Sequence, residues 1–274
     1  MDSLLQLPPL ADVLRISVVL PVYSETETVR QVVDWLRDNL AGQLEEIIIV
    51  LSPSSKQASQ AVCRELEACD ARIRLHIQQR NPGLGHAVRE GLERARGNVV
   101  LMMDSDGEME SETVPRMIAA MLRDHCALVV ASRWIEGGGF SGYSPVKYWL
   151  NWGFQQVFRI LFRTPIHDLT YGFKLIRAEL AHGIAWEGTL HEIACETTLK
   201  PIRLGMRVAE VPSRWTARTQ GASKNTFLRN LRYVVTALRV LGRGVPAPRV
   251  PVLAEPAGRT RRPPARHAAR AIGR

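Results

Sequence analysis

Short runs of consecutive apolar residues alternate, through the first half of the chain, with longer segments whose apolar residues recur every three or four positions. Ile16-Ser-Val-Val-Leu-Pro-Val22, Ile47 to Leu51, Ile73 to Ile77 and Val99 to Met103 have the length and apolar density of strands buried on both faces of a sheet. Between them the period lengthens. Glu27 to Leu40 puts Val29, Val32, Val33 and Leu36 on one helical face, with Ser24 or Thr26 as candidate caps. A second helix opens at Ser52-Pro53-Ser54-Ser55 and runs through Val62 and Leu66, and a third follows Asn81-Pro82-Gly83-Leu84-Gly85 and ends near Ala95-Arg96-Gly97. Strands alternating with helices of this length predict right-handed βαβ units, and so an α/β fold on a mostly parallel sheet flanked by helices.

The second half is less regular. A helix over Val114 to Leu122 and a strand over Ala127 to Ala131 lead to Ser132-Arg133-Trp134 and three glycines, Gly137 to Gly139. Pro145 to Arg163 predicts a long helix with Val146, Trp149, Leu150, Phe154, Val157, Phe158, Leu161 and Phe162 in its apolar stripe and Lys147, Arg159 and Arg163 beside it. Such a stripe suits a helix covering the sheet and, equally, an interfacial helix at headgroup depth. Asp168-Leu-Thr-Tyr-Gly-Phe-Lys174 reads as a polar and aromatic loop, His191-Glu192 starts a helix, and Val208 to Val211 is a last strand before the basic loop Arg214 to Lys224. Leu228 to Leu241 is an apolar helix bearing Arg229, Arg232 and Arg239. The organisation expected is a leader over 1–14, one domain over 15–225, a C-terminal amphipathic helix over 226–241 and a disordered Arg/Pro-rich tail over 242–274.

Charge changes the picture once it is located. The net charge of +9 suggests a nucleic-acid partner, but from Gly242 to Arg274 there are eight arginines and one glutamate. The body is close to neutral, so no nucleic-acid partner is expected. The four cysteines, Cys63, Cys69, Cys126 and Cys195, form no C-x-x-C pair, which argues against zinc and for a reduced chain. The N-terminus lacks the basic region and apolar core of a signal peptide, and no run reaches the ~20 apolar residues of a spanning helix. The expectation is a cytoplasmic protein, or one lying peripherally on the inner face of the cytoplasmic membrane.

The chemistry concentrates where the fourth apolar run stops. Asp104-Ser105-Asp106 follows Met103 at once, with Glu108 close behind. Two carboxylates one residue apart at a strand end repel each other unless a cation sits between them. A hard divalent ion such as Mg2+ or Mn2+, typically held by one or two carboxylates plus substrate phosphates, fits. In parallel sheets ligands bind beyond the carboxyl ends of the strands, where Tyr23-Ser24-Glu25, Ser52-Pro53-Ser54 and Asp104-Ser105-Asp106 would converge on a nucleotide. Gly83 and Gly85 match neither the Walker nor the dinucleotide spacing. They serve either as tight-turn glycines that pack helix on sheet or as contacts to a sugar diphosphate. His191-Glu192 and Glu196 lack the second histidine of a zincin.

Taken in order, these pieces resemble the family-2 glycosyltransferases, and within them the dolichol- or polyprenyl-phosphate mannosyl- and glucosyltransferases. Pro21-Val-Tyr23-Ser-Glu25 resembles that family's P-x-Y-N-E, and the stretch from Asn81 to Gly97 its N-x-G…A…G…A-x-G run. Asp104-Ser105-Asp106 resembles its D-x-D, Ser132-Arg133-Trp134 its S-R-[YF], and Asp168 to Lys174 its D-x-T-S-G-F-[RK]. Arg218-Thr-Gln-Gly-Ala-Ser223-Lys224 resembles its R-x-x-G-x-S-K loop. One departure stands out. The family's Asp pair after the second strand, a contact to the base, is replaced by Leu51-Ser52-Pro53-Ser54-Ser55.

The resemblance implies a glycosyltransferase A-type, Rossmann-like single domain that moves a hexose from a GDP-mannose- or UDP-glucose-type donor, with inversion, to a polyprenyl-phosphate-like lipid. It implies Mg2+ or Mn2+ on Asp104, Asp106 and Glu108. Pro21, Tyr23, Glu25, Ser52, Gly85, Ser105, Arg133, Arg218, Ser223 and Lys224 are implied around the donor, and Asp104, Asp106, Asp168 and Arg133 in catalysis. A phosphate acceptor is already an anion and needs little or no base. A hydroxyl acceptor needs one, for which Asp168, Glu192 and Glu196 are candidates. Three other readings stay open: a soluble family-2 transferase acting on a glycan, metabolite or protein; a nucleotidyltransferase; and a non-catalytic sugar-nucleotide-binding protein. A homo-oligomer is also open.

Overall fold

Seventeen elements follow one another in the computed structural model, which describes residues 7, 9, 13–80, 82–217 and 227–246. The first half runs β1 (Ile16–Val22), α1 (Glu27–Asn39), β2 (Leu44–Leu51), α2 (Gln57–Cys69), β3 (Ile73–Ile77), α3 (Leu84–Arg94) and β4 (Val99–Met102). It continues through α4 (Thr113–Asp124), β5 (Leu128–Ser132), β6 (Gly139–Ser141), α5 (Pro145–Phe162), β7 (Lys174–Arg177) and α6 (Ala178–Gly183). The last elements are α7 (Ile193–Arg203), β8 (Val208–Pro212), β9 (Arg214–Thr216) and α8 (Phe227–Arg243). The elements expected from periodicity are all present. Thr26 holds the N-cap position of α1 but makes no side-chain capping bond.

A seven-stranded sheet in the order β3-β2-β1-β4-β7-β5-β8 forms the centre. Every pairing is parallel except those of β7, which runs antiparallel to β4 and β5. The alternation of side chains along each strand divides the core in two. Val18 and Leu20 of β1 point with Val33 and Leu36 of α1 and Met117 and Met121 of α4, while Val19 faces Val88 and Leu92 of α3 and Leu180 of α6. A third cluster, Phe158, Leu169, Cys195, Leu199, Ala237 and Val240, joins α5, α7 and α8. These layers make one domain. All four cysteines are free thiols.

β7 is the main correction to the sequence pattern, which predicts a loop over Asp168 to Lys174 and no strand directly after it. A four-residue strand that begins and ends in a cation, Lys174 and Arg177, carries no period. All four of its residues are nevertheless buried, and Val99↔Arg177 to Met102↔Lys174 pairs it along the whole of β4. β6 and β9 are a second correction. They form a short parallel pair, Gly139↔Arg214 to Ser141↔Thr216, inside stretches expected to be irregular.

Candidate active site

The parallel strands end along one edge of the sheet, and the backbone there is stitched across strands. Ser105 Oγ donates to the carbonyl of Pro21 (2.7 Å) and Ser52 N–H to that of Val22 (3.0 Å). The three polar loops after β1, β2 and β4 therefore sit side by side. Glu25 closes the first of them, its Oε2 accepting from the N–H groups of Tyr23 (2.7 Å) and Ser24 (2.8 Å). Ser52, itself buried, accepts from Ser54 N–H. Tyr23 is exposed at the mouth.

β4 lies at the centre of the sheet, so Asp104 and Asp106 emerge at the middle of this edge. Both are half-buried. Asp106 Oδ1 accepts from Glu108 N–H (3.1 Å) across Gly107, whose φ of 75° makes the tight turn. Glu108 goes elsewhere: its Oε2 accepts from Trp215 Nε1 (3.0 Å) and its carbonyl from Thr216 N–H (3.0 Å). The expected trio of metal ligands is thus not assembled. Among the described residues no group of three or more carboxylates, histidines or cysteines is placed to hold a metal ion. The reason is the β9 segment, which takes Glu108 as its own anchor.

Asp168 and Arg133 are given to each other. Arg133 Nε and Nη2 donate to Asp168 Oδ2 (2.8 Å) and Oδ1 (2.9 Å), with Asp168 fully buried and the arginine side chain 8% exposed. Asp168 also accepts from the backbone N–H groups of Arg133, Thr170 and Tyr171 (3.1–3.2 Å). The guanidinium lies over the rings of Tyr171 (4.3 Å) and Phe140 (5.1 Å). Burial pulls the Arg133 pKa down, and Asp168 more than offsets this, leaving it above the ordinary range. With the Thr170 hydroxyl as a sixth donor, both carboxylate oxygens are fully engaged, so the general-base role expected of Asp168 is not one this geometry offers. Nor is Arg133 a free charge for a diphosphate. The pair instead holds the turn before β7 against the end of β5. The phenol of Tyr171, whose ring lies under the Arg133 guanidinium, is pushed up by burial, with the carboxylates of Asp168 and Asp104 adding to the shift.

The other expected residues divide. Gly83 and Gly85 press against the loop before α7, because a Cβ on Gly83 would stand 2.1 Å from the carbonyl oxygen of Thr189 and one on Gly85 2.5 Å from that of Gly188. Gly83 also has a φ of 137°. That packing is onto a loop and not onto the sheet. Glu192 accepts from the N–H groups of Thr189 (3.0 Å) and Leu190 (3.1 Å), and buried Glu196 from those of Glu187 (2.9 Å) and Gly188 (2.6 Å). Both carboxylates hold that same loop. Asn81, Arg218, Ser223 and Lys224 lie outside the described residues, as do most of the leader and the tail after 246.

Three residues that the sequence reading passed over organise the site. Gln155, a buried amide on apolar α5, accepts from Leu169 N–H (2.8 Å) and donates to Thr170 Oγ1 (2.9 Å). Glu210 of β8 accepts from the N–H groups of His167 (2.6 Å) and Asp168 (2.7 Å). Trp215 anchors Glu108. Each is one polar or aromatic residue that interrupts its element's pattern, and that interruption was the available signal.

The fold is shared with known enzymes. A glucosyl-3-phosphoglycerate synthase structure from Mycobacterium tuberculosis, in complex with Mn2+, uridine-diphosphate and phosphoglyceric acid, superposes with a TM-score of 0.64 at 20% identity. The match covers 84% of this chain and 79% of that one. The undecaprenyl-phosphate mannosyltransferase of Micrococcus luteus is 28% identical over 218 residues, 77% of this chain and 87% of that protein. The polyprenol monophosphomannose synthase of Mycolicibacterium smegmatis is 28% identical over 240 residues, 84% of this chain and 88% of that protein. The model of glycosyl transferase family 2 matches residues 17–184, from the start of β1 through the antiparallel β7 and past α6, and the chain belongs to that family.

Proposed function

We propose that the chain transfers a hexose, with inversion, from a nucleotide-diphosphate sugar to a polyprenyl phosphate, and that residues 15–225 are its catalytic unit. The observation that carries this is the pair Asp104 and Asp106, at the mid-edge of the sheet between stitched loops. Two half-buried carboxylates are a hard-oxygen donor set that would hold Mg2+ or Mn2+ together with substrate phosphates. Such an ion supplies charge neutralisation on the leaving diphosphate. On this reading Tyr23, Glu25, Ser52 and Ser105 border the donor, and Arg218, Ser223 and Lys224 bring donors of hydrogen bonds and positive charge to its phosphates. Mannose as the transferred hexose is favoured by the names of the two relatives.

What the carboxylates are doing supports this acceptor. Asp168, Glu192 and Glu196, the three candidates to deprotonate a hydroxyl, each accept from backbone N–H groups, and Asp168 and Glu196 are also paired with Arg133 and Lys200. An acceptor phosphate needs none of them, because its oxygen is already an anionic nucleophile. The names of both relatives support the same class of acceptor. Peripheral contact with a membrane belongs to this reading, since among the described residues no helix is long and apolar enough to cross one.

The test is a thermal-shift screen against GDP-mannose, UDP-glucose, UDP-N-acetylglucosamine and their nucleoside diphosphates, with and without Mn2+. A ligand at a hundredfold excess over its dissociation constant stabilises the native state by ~2.7 kcal/mol. One donor should give a metal-dependent shift that Asp104→Ala and Asp106→Ala each abolish. A shift unchanged in either variant would refute the site. No shift with any donor would count against both the transferase reading and the sugar-nucleotide-binding alternative.

A further inference from the structure

α5 was expected either to cover the sheet or to lie at an interface, and it does little covering. Of its eighteen residues only Gln155 and Phe158 are buried. Val146, Trp149, Val157 and Ile160 point outward, with Trp149 64% and Ile160 76% exposed. α8 packs beside it, Phe154 against Tyr233 at 6.3 Å, and both helices rest on α7 through one cluster. Along α8, Leu231, Val235 and Leu238 are about half exposed at i, i+4, i+7 spacing. Two adjacent helices thus expose apolar stripes on the sides turned away from their shared core, well beyond the scattered apolar residues of an ordinary surface.

The charge on these helices selects the partner. Neither α5 nor α8 contains a single Asp or Glu. Lys147 and Arg159 lie on α5, Arg163 caps it, and Arg232, Arg239 and Arg243 lie on α8. Among the described residues Lys147, Arg159 and Arg163 form no ion pair, and Arg159 Nε is buried without a hydrogen-bond partner. Arg159 and Arg163 flank Ile160 along a shallow groove. A second copy of the chain docked on this face would set cation against cation. A surface that is apolar in its middle and anionic at its rim complements it.

We infer that the α5–α8 face is a docking surface for an anionic lipid bilayer. Trp149, Ile160 and Val235 enter the headgroup–acyl boundary, and the unpaired guanidinium groups of Arg159 and Arg163 meet lipid phosphates. The face is also connected to the site. Ring contacts of 4.7–5.8 Å run from Trp152 and Trp149 through Tyr148, Phe140 and Tyr143 to Trp215, whose indole holds Glu108 two residues from Asp106. A bilayer on this face would offer a phosphate-headed lipid to the carboxylate edge along that aromatic wall. This last step rests on the acceptor proposed above, whereas the docking itself does not.

The experiment is sedimentation of the full chain with vesicles of phosphatidylcholine alone or mixed with phosphatidylglycerol, alongside the double variant Ile160→Glu/Val235→Glu and the variant Arg159→Gln/Arg163→Gln. Both changes lie on exposed or groove positions outside the site. The wild type should bind the anionic vesicles with a blue shift in tryptophan emission, and Ile160→Glu/Val235→Glu should lose at least tenfold in partitioning. Each arginine removed should cost roughly fivefold. Wild-type-like binding by Ile160→Glu/Val235→Glu would assign the attachment to the basic tail and overturn the inference. So would a wild-type dimer that this variant makes monomeric without any vesicle binding. The donor thermal shift, measured on the same variants, should be unchanged, and this keeps a failure of docking distinct from a failure of the transferase reading.

Discussion

Replacing Asp168 by Asn is the sharpest test of how the site is built. The change conserves shape and removes the fully buried carboxylate that faces the Arg133 guanidinium. Two ion-paired hydrogen bonds, at 2.8 and 2.9 Å, become at best one bond from the arginine cation to a neutral amide oxygen. The amide must also turn one N–H group toward the backbone N–H groups of Thr170 and Tyr171, or toward the arginine. Breaking a buried pair from one side typically costs ~3–5 kcal/mol, because the remaining charge stays buried without compensation. For a domain of this size that is a fall in Tm of roughly 6–20 °C. Urea unfolding of the wild type, Asp168→Asn, Arg133→Gln and the double variant measures it, and the double variant should recover part of the loss. A general base would behave differently, with kcat lost and stability kept. Destabilisation below ~1 kcal/mol would refute the buried-pair account, and a collapse of kcat in a fully folded Asp168→Asn would restore Asp168 to the chemistry.

Lys174 is fully buried, donates to the carbonyl of Ala194 and to Thr197 Oγ1 (2.7 Å), and burial pushes its pKa from 10.5 down to about 7. Between those values the unfolded chain binds one more proton than the native one, so this residue makes stability rise with pH and fall again toward pH 7, by up to ~1.4 kcal/mol per unit. Buried Cys63, Cys126 and Cys195, all raised by burial, oppose this at higher pH. Urea unfolding at pH 7.5 and 8.5 should therefore show Lys174→Met lacking ~1 kcal/mol of the wild type's gain, and parallel behaviour of the two would refute the assignment. Gly83→Ala should be destabilised by ~1–3 kcal/mol, since its Cβ would meet the Thr189 carbonyl oxygen and its φ is 137°; a neutral result in thermal unfolding would mean that the loop before α7 moves aside freely.

How much of this was legible follows the range of the forces involved. The parallel half, β1 to β4 with its helices, was readable because burial between two helical layers imposes a continuous apolar run on each strand and a 3.6-residue period on each helix. The carboxylate pair Asp104 and Asp106 was readable for the same reason, since it ends the most central run. The sequence by itself therefore determined the fold class and the placing of Asp104 and Asp106 at the middle of the sheet's carboxyl edge. Only the tertiary structure decided the rest. It inserted β7 backwards between β4 and β5, where hydrogen bonds to two neighbours outweigh its cationic ends. It joined Arg133 to Asp168, thirty-five positions away, and withdrew both from roles that their motifs suggested. It gave Glu108 to Trp215 and turned Glu192 and Glu196 into anchors of a loop. A charged side chain has no preferred partner in sequence. Burial forces it to find one, and that choice is made only when distant segments come into contact.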